Sequence, residues 1–449
     1  MTGTMTPPPA VNETPTIVDP STQYPFVDRR KNGPRLKRGY QSAFAISFLV
    51  YALVNLYLSF SMPFEFDQYN YIYRGWSWWI LNDLRKNPEP HNVALLGSSL
   101  MVSAVAGTDA NHLNRRIDLT DHHKAAYLDD RLQAKFGGRF NTFNLSAPGQ
   151  MPSDAYMMLK AMVNTADRPE VVIYGVAPRD FIDSTLSSPV DTEPFHYLKR
   201  IVNLDEVSNL LFRSPQAKLD FWASKSLYFY QYSLDIEMAF SKFMTEKLAV
   251  LLPPDKRHPF TYWDRTHLLP NYLPGEIKQG AIISAPMTQE EAKTHFSDNT
   301  TEYLQRYKKP DKHIYRTQFL FLDKLAEFCQ REKIELIVVN MPITQYNVSI
   351  LKPQIYFNYI QALRERAFYH NYMAYDLNNF EKYSRSDYHD PVHLNAFGGK
   401  KLFDNIVDIL GTNIRTSSAM ELAGKELERH RAVAEYNKQT ANHGGMQPL

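Results

Sequence analysis

The sequence predicts an α/β protein: an open parallel sheet with flanking helices, preceded by one membrane-spanning helix and interrupted by a mostly helical insertion. Three observations carry this. Short apolar runs alternate with segments of helical period, the pattern of parallel strands joined by crossover helices. An uncharged apolar stretch near the N-terminus is long enough to cross a bilayer. The alternation then stops over residues 181–312, which are rich in helix formers and aromatics.

In chain order, residues 1–40 begin rich in Pro and Thr and turn basic; with little to bury they predict a disordered tail. No charge occurs from Gly39 to Phe64, and the run from Ala43 to Phe60 centres a span placed at 41–63. About 20 helical residues rising 1.5 Å each cross a hydrocarbon layer of roughly 30 Å. The run is longer than a signal-peptide core and lacks a small-x-small cleavage site, which argues against a cleaved leader. Arg29, Arg30, Lys31, Arg35, Lys37 and Arg38 precede it, whereas Glu65 and Asp67 follow it. The positive-inside bias therefore leaves the N-terminus cytoplasmic and everything after about Pro63 outside, in a single-pass protein of the plasma (inner) membrane. The segment 64–91, with Trp76, Trp78 and Trp79, fits either the outer interface of the bilayer or core packing.

Beyond it, Val93–Leu96, Thr142–Leu145, Val171–Tyr174, Leu336–Val339 and Met373–Asp376 read as strands. Ala155, Met158, Leu159, Met162 and Val163 share one helical face, with Ser153 as the expected N-cap, and Leu402, Ile406, Ile409 and Leu410 repeat the pattern. This divides the outer domain into 92–180 and 313–414, separated by the insertion 181–312; Asp235, Glu237 and Lys242 argue against a second membrane crossing there. From 415 to 449 the chain is charged and then polar, which predicts a solvated helix fraying into a disordered end.

Composition excludes several function classes. A net charge of +2 gives no field to attract nucleic acid. A single cysteine, Cys329, excludes an internal disulfide; it lies beside the apolar face of a predicted helix and reads as a packing residue. No C-x-x-C, H-x-x-x-H or H-E-x-x-H spacing suggests a metal, and no cofactor is implied.

Chemistry in an open parallel sheet belongs at the carboxyl ends of the strands. The first strand runs into Gly97-Ser98-Ser99-Leu100, where a glycine permits a tight turn and hydroxyls open a helix. A serine there is placed as a nucleophile, and helix-start N–H groups can stabilise a tetrahedral oxyanion; serines beside glycine also serve as plain caps. The second element is Asp390-Pro391-Val392-His393-Leu394-Asn395, just before the last helix. One turn brings this carboxylate and imidazole together, so that Asp390 fixes the tautomer and the far ring nitrogen takes the serine proton. Activity then falls once the imidazole is protonated.

Together these elements resemble the GDSL/SGNH hydrolase superfamily, in which a serine follows the first strand and a D-x-x-H pair precedes the last helix. The resemblance covers roughly residues 92–180 and 316–412 and implies a three-layer SGNH-like sheet domain. It assigns Ser99, His393 and Asp390 as the catalytic triad, leaving Ser98 where the family has aspartate. Asn144 to Gly149 resembles the second block, so that Gly149 would offer its N–H to the oxyanion beside that of Ser99. The third block departs: the family's asparagine is replaced in Gly175-Val176-Ala177-Pro178-Arg179-Asp180. Arg179 fits either a substitute oxyanion donor or an ion pair with Asp180, and Asn340, at the end of the fourth strand, is another candidate donor. The membrane tether and the G-S-S turn resemble the envelope-decorating members, such as the D-alanyl transfer protein of teichoic acids and the alginate O-acetyltransferases. That likeness implies O-acyl transfer to an extracytoplasmic polysaccharide or other envelope polymer, with a polytopic membrane acyl donor, the bilayer and an envelope glycan as partners. A carbohydrate esterase and a non-catalytic scaffold that binds glycan or a membrane partner are the alternatives.

Overall fold

The computed structural model describes residues 37–61, 66–69, 75–87, 89–165, 167–251, 253 and 282–443. The chain divides into two compact units, residues 1–63 and 64–449. In the first, a helix spans Lys37–Ser61, so residues 37–40 are helical where a disordered tail was expected; the rest of that tail lies outside the described residues. Its Ser42–Ser61 stretch is long and apolar enough to cross a membrane, with mean hydropathy 1.9 and 6% of it buried, unlike a core helix. Two of its polar interruptions are satisfied within the helix: Asn55 Nδ2 donates to the Tyr51 carbonyl and Ser59 Oγ to the Asn55 carbonyl, both at 2.8 Å.

Among the described residues, the second unit has seven strands: β1 (Val93–Gly97), β2 (Ile117–Asp118), β3 (Thr142–Asn144), β4 (Val171–Val176), β5 (Ile283–Ser284), β6 (Glu335–Asn340) and β7 (Met373–Asp376). Five form one parallel sheet in the order β3-β1-β4-β6-β7. β1 and β4 are buried along their whole length because helices cover both faces, which is why they read as unbroken apolar runs. Each fully buried Val, Leu or Ile contributes about 1.5–3 kcal/mol of transfer free energy. β2 and β5 pair separately as an antiparallel ribbon, Ile117 opposite Ser284.

On one side lie the helices Ser99–His112, Ala126–Phe136 and Ala396–Thr412; on the other, Pro152–Asn164 packs on Lys312–Glu332. Three layers result, as the sequence predicts. The order reverses direction between β1 and β4, and such a switch point opens a crevice at the carboxyl ends of those two strands. Ser99 follows one and Arg179 the other.

Two further expectations need correction. Ser153 does not cap its helix: Met151 holds the N-cap position, with Asp154 accepting its N–H, while Ser153 is drawn into the core by Gln318. The final helix, Ile414–His443, is not simply solvated, because Thr416, Met420, Ala423 and Leu427 are buried and Asn92 donates to the Ala423 carbonyl at 3.0 Å. The expected frayed end, residues 444–449, lies outside the described residues. Trp76 and Trp79 are buried in the main core, which settles those two residues for packing over an interfacial position. Cys329 is buried too, and burial raises its thiol pKa.

Candidate active site

Ser99 is the first residue of the Ser99–His112 helix, directly beyond Gly97 and the N-cap residue Ser98. Ser98 is buried but makes no capping bond, and Gly97 is fixed by its N–H donating to Gln150 Oε1 at 2.9 Å. Met101 N–H donates to the Ser98 carbonyl at 3.0 Å, and the two N–H groups ahead of it, of Ser99 and Leu100, stand where a helix start leaves its donors without intrahelical acceptors.

His393 arrives from the far end of the chain. Asp390 Oδ1 accepts the N–H groups of Val392 and His393, both at 2.8 Å, closing a tight turn. Asn395 then caps the Ala396–Thr412 helix, its Oδ1 accepting from the N–H groups of Phe397 and Gly398. This helix meets the Ser99 helix backbone to backbone: a Cβ on Gly399 would collide with Thr108 Oγ1 and stand 2.6 Å from the Ala104 carbonyl oxygen. Ser103, one turn from Ser99, donates to the Leu394 carbonyl at 2.9 Å. These contacts set the loop above Ser99.

The structure brings three of the expected residues into one hydrogen-bonded chain. His393 Nε2 lies 2.8 Å from Ser99 Oγ, and His393 Nδ1 lies 2.7 Å from Asp390 Oδ2. Burial alone would raise the Asp390 pKa, but the hydrogen bonds and charge from His393 outweigh it and hold the carboxyl below its ordinary range. Asp390 Oδ2 also accepts from Asn299 Nδ2 at 3.0 Å. Asn299 lies inside the insertion, 91 positions earlier in the chain, and sequence reading assigned it nothing. Nearby, burial lowers the pKa of His389.

The remaining expected residues are placed as follows. Ala147-Pro148-Gly149-Gln150 is a turn closed by Gln150 N–H donating to the Ala147 carbonyl at 3.0 Å. Gly149 sits at φ +78°, as the third position of a type II turn requires. Asn144 Oδ1 accepts the Ser146 N–H at 3.1 Å and thereby stabilises the chain leaving β3. Arg179 is held by two buried carboxylates, 3.0 Å from Asp183 Oδ2 and 3.6 Å from Asp180 Oδ1, with its guanidinium against Gly149. It is engaged as an ion-pair partner. Burial pushes Asp180 up to about 6, while Arg179 and the Ala177 N–H pull the other way.

Asn340 is not aimed at the crevice. Its Nδ2 donates to Asp376 Oδ1 at 2.8 Å and to the Tyr356 hydroxyl at 3.3 Å, and its Oδ1 accepts from the Tyr359 hydroxyl at 2.9 Å. The register of β6 with β7 sets Asn340 opposite Asp376, so its amide is consumed between the strand ends and it offers no oxyanion donor.

Ser99 and His393 open into a cavity of about 540 Å³. Among the described residues, no group of three or more His, Cys, Asp or Glu side chains is placed to hold a metal ion. No family model and no curated protein matches this chain. Among solved structures, it is similar to the crystal structure of a Bacteroides fragilis protein proposed to be an acylhydrolase. The TM-score is 0.31 at 10% identity, covering 76% of this chain and 98% of that one. The fold assignment therefore rests on the order and direction of the strands themselves.

Proposed function

We propose that the chain is a serine-nucleophile acyltransferase acting on an extracytoplasmic polysaccharide or other cell-envelope polymer. The observation that carries the acyl-transfer reading is the Asp390–His393–Ser99 chain, with contacts of 2.7 and 2.8 Å. Asp390 orients the imidazole, and His393 Nε2 accepts the Ser99 proton as Oγ attacks an acyl carbonyl. The negative oxygen of the tetrahedral intermediate is met by the N–H groups of Ser99 and Gly149. Collapse breaks the bond to the donor's leaving oxygen, which takes the proton from His393 and leaves an acyl ester on Ser99. An acceptor hydroxyl, deprotonated by the same imidazole, then takes the acyl group and regenerates Ser99.

The Ser42–Ser61 helix, with basic residues before it and acidic ones after, supports a tethered domain outside the cytoplasm. There the reachable acceptors are envelope glycans, and a polytopic membrane protein is the natural acyl donor. A carbohydrate esterase is the second reading, favoured by the partial exposure of His393 and Asp390, which lets water compete for the acyl group. In a scaffold that only binds glycan or a membrane partner, the serine would be unreactive.

A serine-directed fluorophosphonate distinguishes enzyme from scaffold. The full chain is expected to be labelled and Ser99→Ala is not; failure to label under conditions that modify a known esterase defeats the acyl-transfer reading. Transfer and hydrolysis separate on partition. If the acyl-enzyme loses its group equally fast with and without glycan, the transferase reading fails.

A further inference from the structure

The cavity beside Ser99 has a composition that argues for a particular acyl group. Along the Ser99 helix, Val102, Ala106 and Gly107 line it at i+3, i+7 and i+8 from Ser99, so they share the face that carries the nucleophile. Eight residues at 1.5 Å each give a run of about 12 Å. Facing this run, the ribbon of β2 and β5 and its flanks supply Leu119, Ile282 and Met287. Beneath it, Ala106, Ala110 and Ile117 form a small apolar cluster separate from the main core. Two of the cavity's ionisable groups besides His393, Glu291 and His295, are exposed to solvent.

We propose that this cavity is an acyl-chain site and that the group carried by Ser99 is a medium-length alkanoyl chain of roughly six to ten carbons. The proposal rests on the acyl-serine reading above and adds the identity of the acyl group. A linear chain built from C–C bonds of about 1.5 Å advances roughly 1.3 Å per carbon, so about nine carbons fill the run along the helix. Val102, Ala106, Leu119 and Ile282 offer a sugar no hydrogen-bond partner, and burying its hydroxyls against them is unfavourable, whereas the polar part of the lining, Ser103, Ser284, Glu291 and His295, is left to the acceptor. The acyl chain is therefore the occupant, and the acceptor approaches from the exposed side. With an acyl ester as donor, the carbonyl carbon bonds to Ser99 Oγ, the donor's C–O bond breaks, and the serine proton passes through His393 to the leaving oxygen.

The test uses the full chain in lipid nanodiscs with p-nitrophenyl esters from acetyl to dodecanoyl, following the release of p-nitrophenol. Each buried methylene is worth about fourfold in kcat/KM. The octanoyl ester is expected to exceed the acetyl ester at least 30-fold, with a decline beyond decanoyl. Ala106→Phe, which fills the run, is expected to lower the octanoyl-to-acetyl ratio at least tenfold; the smaller Ala106→Val lowers it in the same direction should the larger side chain impair folding. An acetyl optimum in a chain that labels with fluorophosphonate overturns the acyl-chain site and leaves the serine chemistry intact. An octanoyl-to-acetyl ratio unchanged in both Ala106 variants overturns it equally. No reaction with any ester, together with no labelling, overturns both readings.

Discussion

Replacing Asp390 by asparagine probes the centre of the proposed mechanism, because the structure fixes what each atom of the new side chain must do. The carboxylate accepts four hydrogen bonds: from the N–H groups of Val392 and His393, from His393 Nδ1 and from Asn299 Nδ2. Asparagine has one oxygen and one NH2. With the oxygen kept on the two backbone donors, the NH2 faces Nδ1, which must then accept, and the ring proton moves to Nε2. That is the atom 2.8 Å from Ser99 Oγ, and a protonated Nε2 cannot take the serine proton. The lost bond to a charged group accounts for about 1.5–3 kcal/mol and the wrong tautomer for the rest of about 4–5 kcal/mol. At 1.36 kcal/mol per decade, kcat should fall by about 10³–10⁴. The assay is ester turnover or phosphonate labelling at neutral pH, alongside thermal melts showing that the variant is folded. A loss smaller than tenfold in a folded Asp390→Asn protein would refute the assigned roles. Because the Asp390 carboxyl is held below its ordinary range, its contribution to stability is complete above about pH 4. That contribution disappears only as pH falls through the depressed value.

Asn299→Ala removes one of the four donors and should lower kcat about 5- to 30-fold with little change in KM, read from steady-state kinetics; activity within twofold of the parent would show that Asn299 is not a positioning residue. Arg179→Met leaves Asp180 without its ion-pair partner and Asp183 with Arg306 alone, and should cost about 3–5 kcal/mol in denaturant melts; a loss below about 1 kcal/mol would contradict the ion-pair role. Asp154 is fully buried, and burial pushes it up to about 7, above an unfolded value near 4. Its stabilising contribution is therefore full below about pH 4 and is lost as pH rises to 7. Asp154→Asn should melt higher than the parent at pH 8 and gain less on acidification, whereas parallel pH profiles would argue against that burial.

The centre of the main sheet was legible because β1 and β4 are covered on both faces and appear as uninterrupted apolar runs; the half-buried edge strand Met373–Asp376 also has the bounds expected of it. The β2–β5 ribbon was not, since strands of two residues carry no period. The approach of Ser99 to the Asp390-His393 turn was legible because each half is local and the fold class dictates that strand ends converge. Asn299 was invisible: it lies in a loop without periodicity, and only tertiary structure brings it to Asp390. Asn340 and Arg179 show the opposite limit. Both were candidates to face the crevice, and in both cases a carboxylate captures the side chain: Asp376 of the neighbouring strand for Asn340, and Asp183, one helical turn on, for Arg179, whose ion pairing was the other reading of the sequence. Ser153 has the sequence of a helix cap, yet Gln318 from the Lys312–Glu332 helix competes for it.

The loop that carries His393 is 294 positions downstream of Ser99. At synthesis rates of about 5–20 residues per second, the hydroxyl leaves the ribosome roughly 15–60 s before the imidazole proposed to activate it. Throughout that interval the growing polypeptide holds an ordinary alcohol, unreactive toward acyl groups. Under the proposed mechanism a nascent chain, or one cut short before His393, is thereby chemically silent, and reactivity appears only after the Asp390-His393 turn has docked.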